Sequence, residues 1–321
     1  MSNIDVIGFG AMNVDYIYQV DETVIDSEQL ITNSASVPGG SAANTIYGLA
    51  KLGIKTGFIG AIGSDDVGNK LIEDFKSVGV DTSQIQVKQA IETGSTRCFS
   101  DQMSRRALYV SQGANNLLTY DDISLPYMEQ AKIVHFSSFV DDRQFSIQVN
   151  TIKDLDSSTK ISFAPGMLYA AKGLETIIPI LSRTHIAFFN RNEIERLTGK
   201  DFRDGARECL ASGCQIIVIT LGKGLTLEKS KVVCCIYNSK KEYKIKSAGE
   251  YTKHKLETTG AGDAFAAGFL LGFLKDKEIE ECGLLGDLTA HFAISHVGAR
   301  AGLPSLSQLS LSYLELTGQS L

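Results

Sequence analysis

Apolar and polar positions along this chain follow two rhythms. Short apolar runs at Ile4–Phe9, Thr56–Ile62, Ile133–Ser137, Lys160–Phe163, His185–Phe189 and Ile216–Leu221 predict buried strands. Between them, apolar positions three and four apart predict helices over Ser41–Leu52, Val67–Val78, Gln144–Leu155, Leu174–Leu181, Asn192–Thr198 and Arg203–Ala211. Strands without strict alternation, separated by helices, predict an α/β fold: a doubly wound, mostly parallel sheet covered on both faces. Ligands of such sheets sit beyond the carboxyl ends of the strands.

Two segments break the rhythm. Asp15–Val20 with Leu30–Val37, and Thr96–Ser100 with Arg105–Val110, are extended pieces of mixed polarity, with Gln102-Met-Ser-Arg reading as a hairpin turn. They do not suit a sheet buried on both faces, so they predict a small separate β-sheet placed as a lid. The chain then divides into a core of residues 1–14, 38–91 and 113–321 and a lid of residues 15–37 and 92–112. From Asp263 the pattern is helical through His296, and a last helix covers Ser305–Leu314.

Charge and composition narrow the function. The 321 residues carry 31 Lys and Arg against 37 Asp and Glu, a formal charge of −6, which argues against nucleic acid as a partner. The densest basic cluster, Lys240, Lys241, Lys244 and Lys246, is interrupted by Glu242 and reads as a solvated edge strand. The longest small-and-apolar stretch, Ala264–Leu274, falls short of the ~20 residues that span a bilayer. No basic region followed by a cleavable apolar segment opens the chain, so a cytoplasmic location is expected. The cysteines Cys98, Cys209, Cys214, Cys234, Cys235 and Cys282 contain no C-x-x-C pair and read as reduced core thiols.

The strongest local signal is Thr258-Thr-Gly-Ala-Gly-Asp-Ala-Phe. It places Gly260, Ala261 and Gly262 at the amino end of a helix, where unpaired backbone N–H groups and the helix dipole favour an anion. Asp263, in the first turn, would stand beside that anion and accept a proton from an attacking hydroxyl. Alternatively it is a capping residue and the glycines serve packing. A second signal, Pro38-Gly-Gly-Ser-Ala-Ala-Asn-Thr, opens another helix. Gly39 and Gly40 give access to the backbone, and Asn44 offers a donor and an acceptor suited to vicinal hydroxyls. Gly8-Phe-Gly-Ala-Met-Asn half-matches a dinucleotide fingerprint, but strand pattern follows where a helix is required. Neither a G-x-x-x-x-G-K-[ST] loop nor a G-x-S-x-G elbow occurs.

Together Gly39-Gly-Ser-Ala-Ala-Asn44 and Thr259-Gly-Ala-Gly-Asp263 resemble the ribokinase, or PfkB carbohydrate kinase, family. Gly10-Ala-Met-Asn-Val-Asp15, Asn192-Glu-Ile-Glu195 followed by Leu197-Thr-Gly199, and Thr220-Leu-Gly-Lys-Gly224 are similar to further family segments, in the family's order. The resemblance spans essentially the whole chain. It implies a ribokinase-like fold and an ATP- and Mg²⁺-dependent kinase acting on a primary hydroxymethyl group of a sugar or nucleoside. It makes Asp263 the base, with Gly260, Ala261 and Gly262 as the anion hole. Asp15, Gly39, Gly40 and Asn44 would grip the acceptor, and Thr220, Gly222 and Gly224 would lie along ATP. Asn192 and Glu195 would help hold magnesium, Glu195 through water. Glu257 and Thr259 fall at a monovalent-cation place where many relatives have Asp, so K⁺ activation does not carry over directly. The family's lid implies a homodimer formed through it. Tyr16, Tyr18, Phe99 and Tyr109 would offer a shelf for a nucleoside base, or else serve as lid core or dimer contact. Val134–Asp142 lacks the glutamate usual at an acceptor contact.

Overall fold

A computed structural model describes residues 4–23, 27–101, 106–227, 230–247 and 259–321. Its strands are β1 (Val6–Phe9), β2 (Asn13–Val20), β3 (Ile31–Gly39), β4 (Thr56–Gly63), β5 (Asp81–Lys88), β6 (Gly94–Ser100), β7 (Arg106–Ser111), β8 (Ile133–Ser137), β9 (Lys160–Ala164), β10 (Ile186–Asn190), β11 (Ile216–Leu227), β12 (Ser230–Asn238) and β13 (Glu242–Lys246). The helices are α1 (Ser41–Lys51), α2 (Asp66–Ser77), α3 (Leu125–Met128), α4 (Asp142–Asp154), α5 (Gly166–Ala170), α6 (Leu174–Leu181), α7 (Arg191–Thr198), α8 (Phe202–Ala211), α9 (Ala261–Leu274), α10 (Ile279–Ala293) and α11 (Leu306–Thr317).

Nine strands form the main sheet in the order β13-β12-β11-β10-β9-β8-β1-β4-β5. From β11 to β5 every pairing is parallel, and β12 and β13 are added antiparallel at one edge. Every residue of β1, β4 and β8 is buried, as strands covered on both faces require. Alternate residues feed two apolar layers. Ile7, Phe9 and Phe136 pack with α4, α6, α7 and α8, while Val6, Phe58 and Ile133 pack with α1, α2, α9 and α10. Chain order grows from β1 outward to β5 and then returns to β8 on the other side, so the switch point lies between β1 and β8.

Four strands make a second sheet, β3-β2-β6-β7, the lid. Its outer pairings are antiparallel, whereas β2 and β6 run parallel. The hairpin turn expected at 102–105 lies outside the described residues. The basic segment at 240–246 is indeed an edge strand, β13. Other expectations need adjusting. β5 and β12 were not foreseen, because Asp81–Lys88 is mixed in polarity and the pair Cys234-Cys235 hides a strand buried on both faces. The helical run after Asp263 is two helices. Asp276 turns the chain with φ of 54°, and Glu278 starts α10 with a capping box to Glu281. All six cysteines are buried thiols. Among the described residues no helix is long and apolar enough to cross a membrane.

Candidate active site

Two helices begin at adjacent points beyond the strand ends. At α1 the turn is tightly filled. Gly40 is the N-cap with φ of 96°, and a Cβ there would lie 2.1 Å from the Ala11 carbonyl oxygen. A Cβ on Gly39 would lie 2.3 Å from an oxygen of the Asp15 carboxylate. Only glycine lets β2 and α1 approach this closely. The amide of Ala42 donates to Ser137 Oγ at the end of β8, at 3.0 Å. Burial raises the Asp15 carboxyl above its ordinary value, against the opposing effects of a Thr96 hydrogen bond and the Arg300 charge.

At α9 the turn is open. Gly260 is the N-cap with φ of 76°, and it abuts Ala299, whose Cβ would be 2.3 Å from an added Cβ. Being glycine, the N-cap brings no side chain to cap this helix. Gly262 is exposed, and among the described residues no atom lies within 4 Å of where a Cβ would stand. The first-turn amides, lacking intrahelical carbonyls, therefore face accessible space.

Asp263 ties the two helices together. Ser41 Oγ donates to its Oδ1 at 2.7 Å, and Asn44 Nδ2 donates to its Oδ2 at 2.9 Å. Thr45 Oγ1 donates to its main-chain carbonyl at 3.4 Å. Burial pushes the Asp263 carboxyl up to about 6, and the Asp15 charge adds to this. The Asn44 and Ser41 hydrogen bonds and the Arg300 charge oppose it. Sequence pattern had left open whether Asp263 merely caps its helix. Its carboxylate instead turns to α1, across 219 residues of sequence.

The carboxyl ends of β10 and β11 complete the wall. Asn190 pairs in register with Thr220, whose hydroxyl donates to the Phe189 carbonyl at 3.4 Å. Beyond Thr220 the β11–β12 register breaks before Leu225, where Gly222 and Gly224 take φ of 59° and 87°. Asn192 is exposed, and Glu195 binds Arg191 at 2.8 Å. The N-x-x-E spacing also occurs two residues earlier, and that frame is the one built into the fold. Asn190 Oδ1 accepts from the Glu193 amide at 2.9 Å and Glu193 Oε2 accepts from the Asn190 amide at 2.8 Å, a capping box that closes β10 onto α7. Burial pushes the Glu193 carboxyl up to about 7, with the Asp263 charge contributing. Asn190 and Glu193 are thus the N-x-x-E frame at the strand end, whereas Asn192 and Glu195, the pair expected from sequence, lie further along α7. Thr259 lies in the turn before α9, and Glu257 lies outside the described residues.

A model of the pfkB family of carbohydrate kinases matches residues 3–306. The chain belongs to the pfkB carbohydrate kinase family. An uncharacterized sugar kinase of Archaeoglobus fulgidus is 37% identical over 260 residues, covering 80% of this chain and 98% of its own length. A nucleoside kinase of Methanocaldococcus jannaschii is 26% identical over 310 residues, covering 95% and 94%. The crystal structure of M. jannaschii nucleoside kinase, a member of the ribokinase family, matches in fold with a TM-score of 0.81 at 24% identity, over 98% of this chain and 100% of that one. The protein is therefore a sugar or nucleoside kinase, a phosphotransferase with an alcohol acceptor.

In this kinase a small cleft lies between lid and core, where Ala11, Asn13, Val110, Phe139 and Gln144 meet. Asn115, buried and not singled out from sequence, organises its floor. Its amide bridges the backbone of Met12 at 3.0 and 3.1 Å and reaches Asn13 Oδ1 at 2.9 Å. Phe139 and Val140 stand near where the family's glutamate was sought. Of the two readings of the lid aromatics, the contacts fit lid core. Asp15 pairs with Thr96 and Val37, whereas Tyr16 and Tyr18 alternate to the other face with Arg97 and Phe99. Tyr18 stacks on Phe99 at 5.0 Å, and Phe99 meets Tyr109 edge-on at 6.2 Å, away from the Asp15 side. The kinase also implies magnesium. Among the described residues no three His, Cys, Asp or Glu side chains gather as a cage. Magnesium in phosphoryl transfer is typically held by one or two carboxylates, substrate phosphates and water, and the Glu193 carboxyl, which feels the Asp263 charge, fits that donor set.

Proposed function

We propose that the protein transfers the γ-phosphoryl group of ATP to a primary hydroxymethyl group, with Asp263 as the base. The carrying observation is that the Asp263 carboxylate bridges the two helix starts, held by Ser41 and Asn44 beside the open turn at Gly262. The acceptor hydroxyl gives its proton to an Asp263 oxygen as its own oxygen attacks the γ-phosphorus. The bond from that phosphorus to the bridging oxygen breaks, and ADP leaves. Main-chain N–H groups of Gly260, Ala261 and Gly262 face the charge that spreads over the migrating group. Magnesium, when bound, neutralises charge on the nucleotide's phosphates, with Glu193 as the carboxylate in reach. Asp15, Gly39, Gly40 and Asn44 orient the acceptor, while Thr220, Gly222 and Gly224 flank the nucleotide.

A nucleoside is the acceptor we favour over a simple sugar. The cleft joins amides, Asn13 and Gln144, to apolar surface from Ala11, Val110 and Phe139. Gln144 is 1% exposed, and its Nε2 donates to the carbonyls of Asn116 and Leu118 at 3.0 and 3.3 Å. Its Oε1 has no partner among the described residues and suits a donor on the acceptor. The exposed Leu108 and Tyr109 of β7, at 60% and 64%, support pairing of two lids in a homodimer. The deciding experiment is a phosphorylation screen with Mg-ATP across pentoses, hexoses, 2-keto sugar acids and nucleosides. Nucleosides should give product. Turnover of simple sugars alone would reverse the acceptor assignment, and no turnover with any class would reject the kinase mechanism.

A further inference from the structure

Arg300 is the buried charge that the mechanism above does not use. It is 5% exposed and lies in the loop after α10, among residues the sequence motifs left without a role. The guanidinium is held edge and face. Its Nε donates to Asn44 Oδ1 at 2.9 Å, its Nη2 to the Gly39 carbonyl at 3.3 Å, and its Nη1 to Asp74 Oδ2 at 2.5 Å. The rings of Tyr47 and Phe75 each stand 5.1 Å from its Cζ. The same loop abuts the other site elements, since Gly298 lies against Val37 of β3 and Ala299 against Gly260 at the start of α9.

We infer that Arg300 is a positioning residue, fixing the Asn44 amide and the Gly39 carbonyl so that the acceptor meets a preformed site. This rests on the kinase reading above and extends it to one residue. An amide side chain is nearly symmetric in shape, so its orientation is set by its partners. While Asp263 is ionised, its carboxylate holds the Asn44 NH₂. Once Asp263 carries the acceptor's proton, that oxygen becomes a donor and no longer specifies which end of the amide it meets. Arg300 donates only and does not titrate in the working range, so Asn44 Oδ1 stays toward α2 before and after transfer. A lysine cannot replace it, because one ammonium cannot present a planar fork to Asn44, Gly39 and Asp74 together. The charged groups facing this arrangement are Asp74 on α2, Asp15 on β2, Asp263 on α9 and the Tyr47 hydroxyl on α1.

Removing Arg300 alone would leave the half-buried Asp74 carboxylate without its ion-pair partner, so the test pairs the two changes. In Arg300→Met with Asp74→Leu, an apolar pair replaces the ion pair, an exchange that folds tolerate well. This double variant should keep a cooperative melt and bind ATP within twofold of the parent. Its kcat/KM for the acceptor should fall by about 10²-fold, the scale of a misplaced reacting group. Arg300→Lys should lose a similar factor despite keeping its charge. An acceptor kcat/KM within threefold of the parent in the folded double variant overturns the inference. The side-chain NH₂ resonances of Asn44, identified through Asn44→Asp, give a readout that needs no turnover. They should shift and exchange faster in the double variant, and unchanged resonances overturn the inference even if the kinase reading fails on its own screen.

Discussion

The two helix starts at the site begin from similar sequence and end in opposite conditions. Gly39-Gly40 at α1 and Gly260-Ala-Gly262 at α9 both place a positive-φ glycine at the N-cap. At α1 the space is taken: the Ala11 carbonyl and the Asp15 carboxylate press on the glycines, and Ser137 occupies an amide. At α9, among the described residues, Ala299 presses on Gly260 and nothing presses on Gly262. A glycine-rich helix start is therefore not one device. One instance allows the protein's own backbone to come close, and the other leaves room for a ligand to do so. Asp263 and Asn44 join the closed end to the open one.

The largest effect should come from cutting that join. Asp263→Asn is expected to lower kcat by about 10²–10⁴-fold, the usual contribution of a general base. ATP affinity, measured by calorimetry, should stay within a few-fold. Because the Asp263 carboxyl is pushed up to about 6, the parent's kcat/KM should fall as pH drops through that region, and the asparagine variant should lack this limb. Asp15 and Glu193 share the site, so the observed value belongs to the cluster. Stability carries the opposite sign. A carboxyl whose folded value lies above its unfolded value binds more protons when folded, so its contribution is present below about pH 4 and is lost as pH rises to about 6. The Tm difference between variant and parent should therefore move in the variant's favour from pH 4 to pH 7. A pH-independent difference would contradict the burial of this carboxylate.

The contrast between the two glycine starts can be broken directly. Gly40→Ala puts a Cβ at positive φ and against the Ala11 carbonyl, and should cost more than about 2 kcal/mol, several degrees of Tm. Gly262→Ala meets nothing and should leave Tm within about a degree or raise it, since alanine is the better helix former. Its kcat should nonetheless fall toward the ~10²-fold scale of a lost preorganised donor, because the methyl occupies the approach to the amides. If Gly262→Ala is as active as the parent, the open turn does not receive the phosphoryl group.

The parts of the site legible in sequence are those whose cause is local. The Gly260–Asp263 stretch announces a helix start because glycine, alanine and aspartate each favour one conformation there. The unbroken apolar runs of β1, β4 and β8 announce burial on both faces. The orientation of the lid aromatics was legible too, since Asp15 and Tyr16 are neighbours on a strand and must face opposite ways. Arg300 was not legible. Its partners Gly39, Asn44 and Asp74 lie more than 220 residues away, and no local pattern distinguishes a buried arginine from a surface one. β12 was hidden for a different reason: two adjacent cysteines read as core thiols with no element of their own, while the fold uses them as small apolar side chains of a strand, facing opposite layers.

The smallest predicted contrast separates the two frames of N-x-x-E. Asn190-Arg-Asn-Glu193 and Asn192-Glu-Ile-Glu195 satisfy the same spacing, so spacing alone cannot choose. The strand end chooses: Asn190 is the last residue of β10 and caps α7, which turns Glu193 toward the Asp263 charge, whereas Glu195, two residues on, falls on the opposite side of the helix and pairs with Arg191. Glu193→Gln keeps the reciprocal cap, because a glutamine side chain can still accept from the Asn190 amide. It should therefore leave Tm nearly unchanged while raising the Mg²⁺ concentration needed for half-maximal rate several-fold. Glu195→Gln removes an exposed i,i+4 pair worth about 0.3–0.5 kcal/mol and should leave the magnesium dependence where it was. Equal magnesium dependence in both variants would return the choice of frame to the sequence, where it is undecided. A shift confined to Glu195→Gln would mean that α7 presents its outer face to the nucleotide.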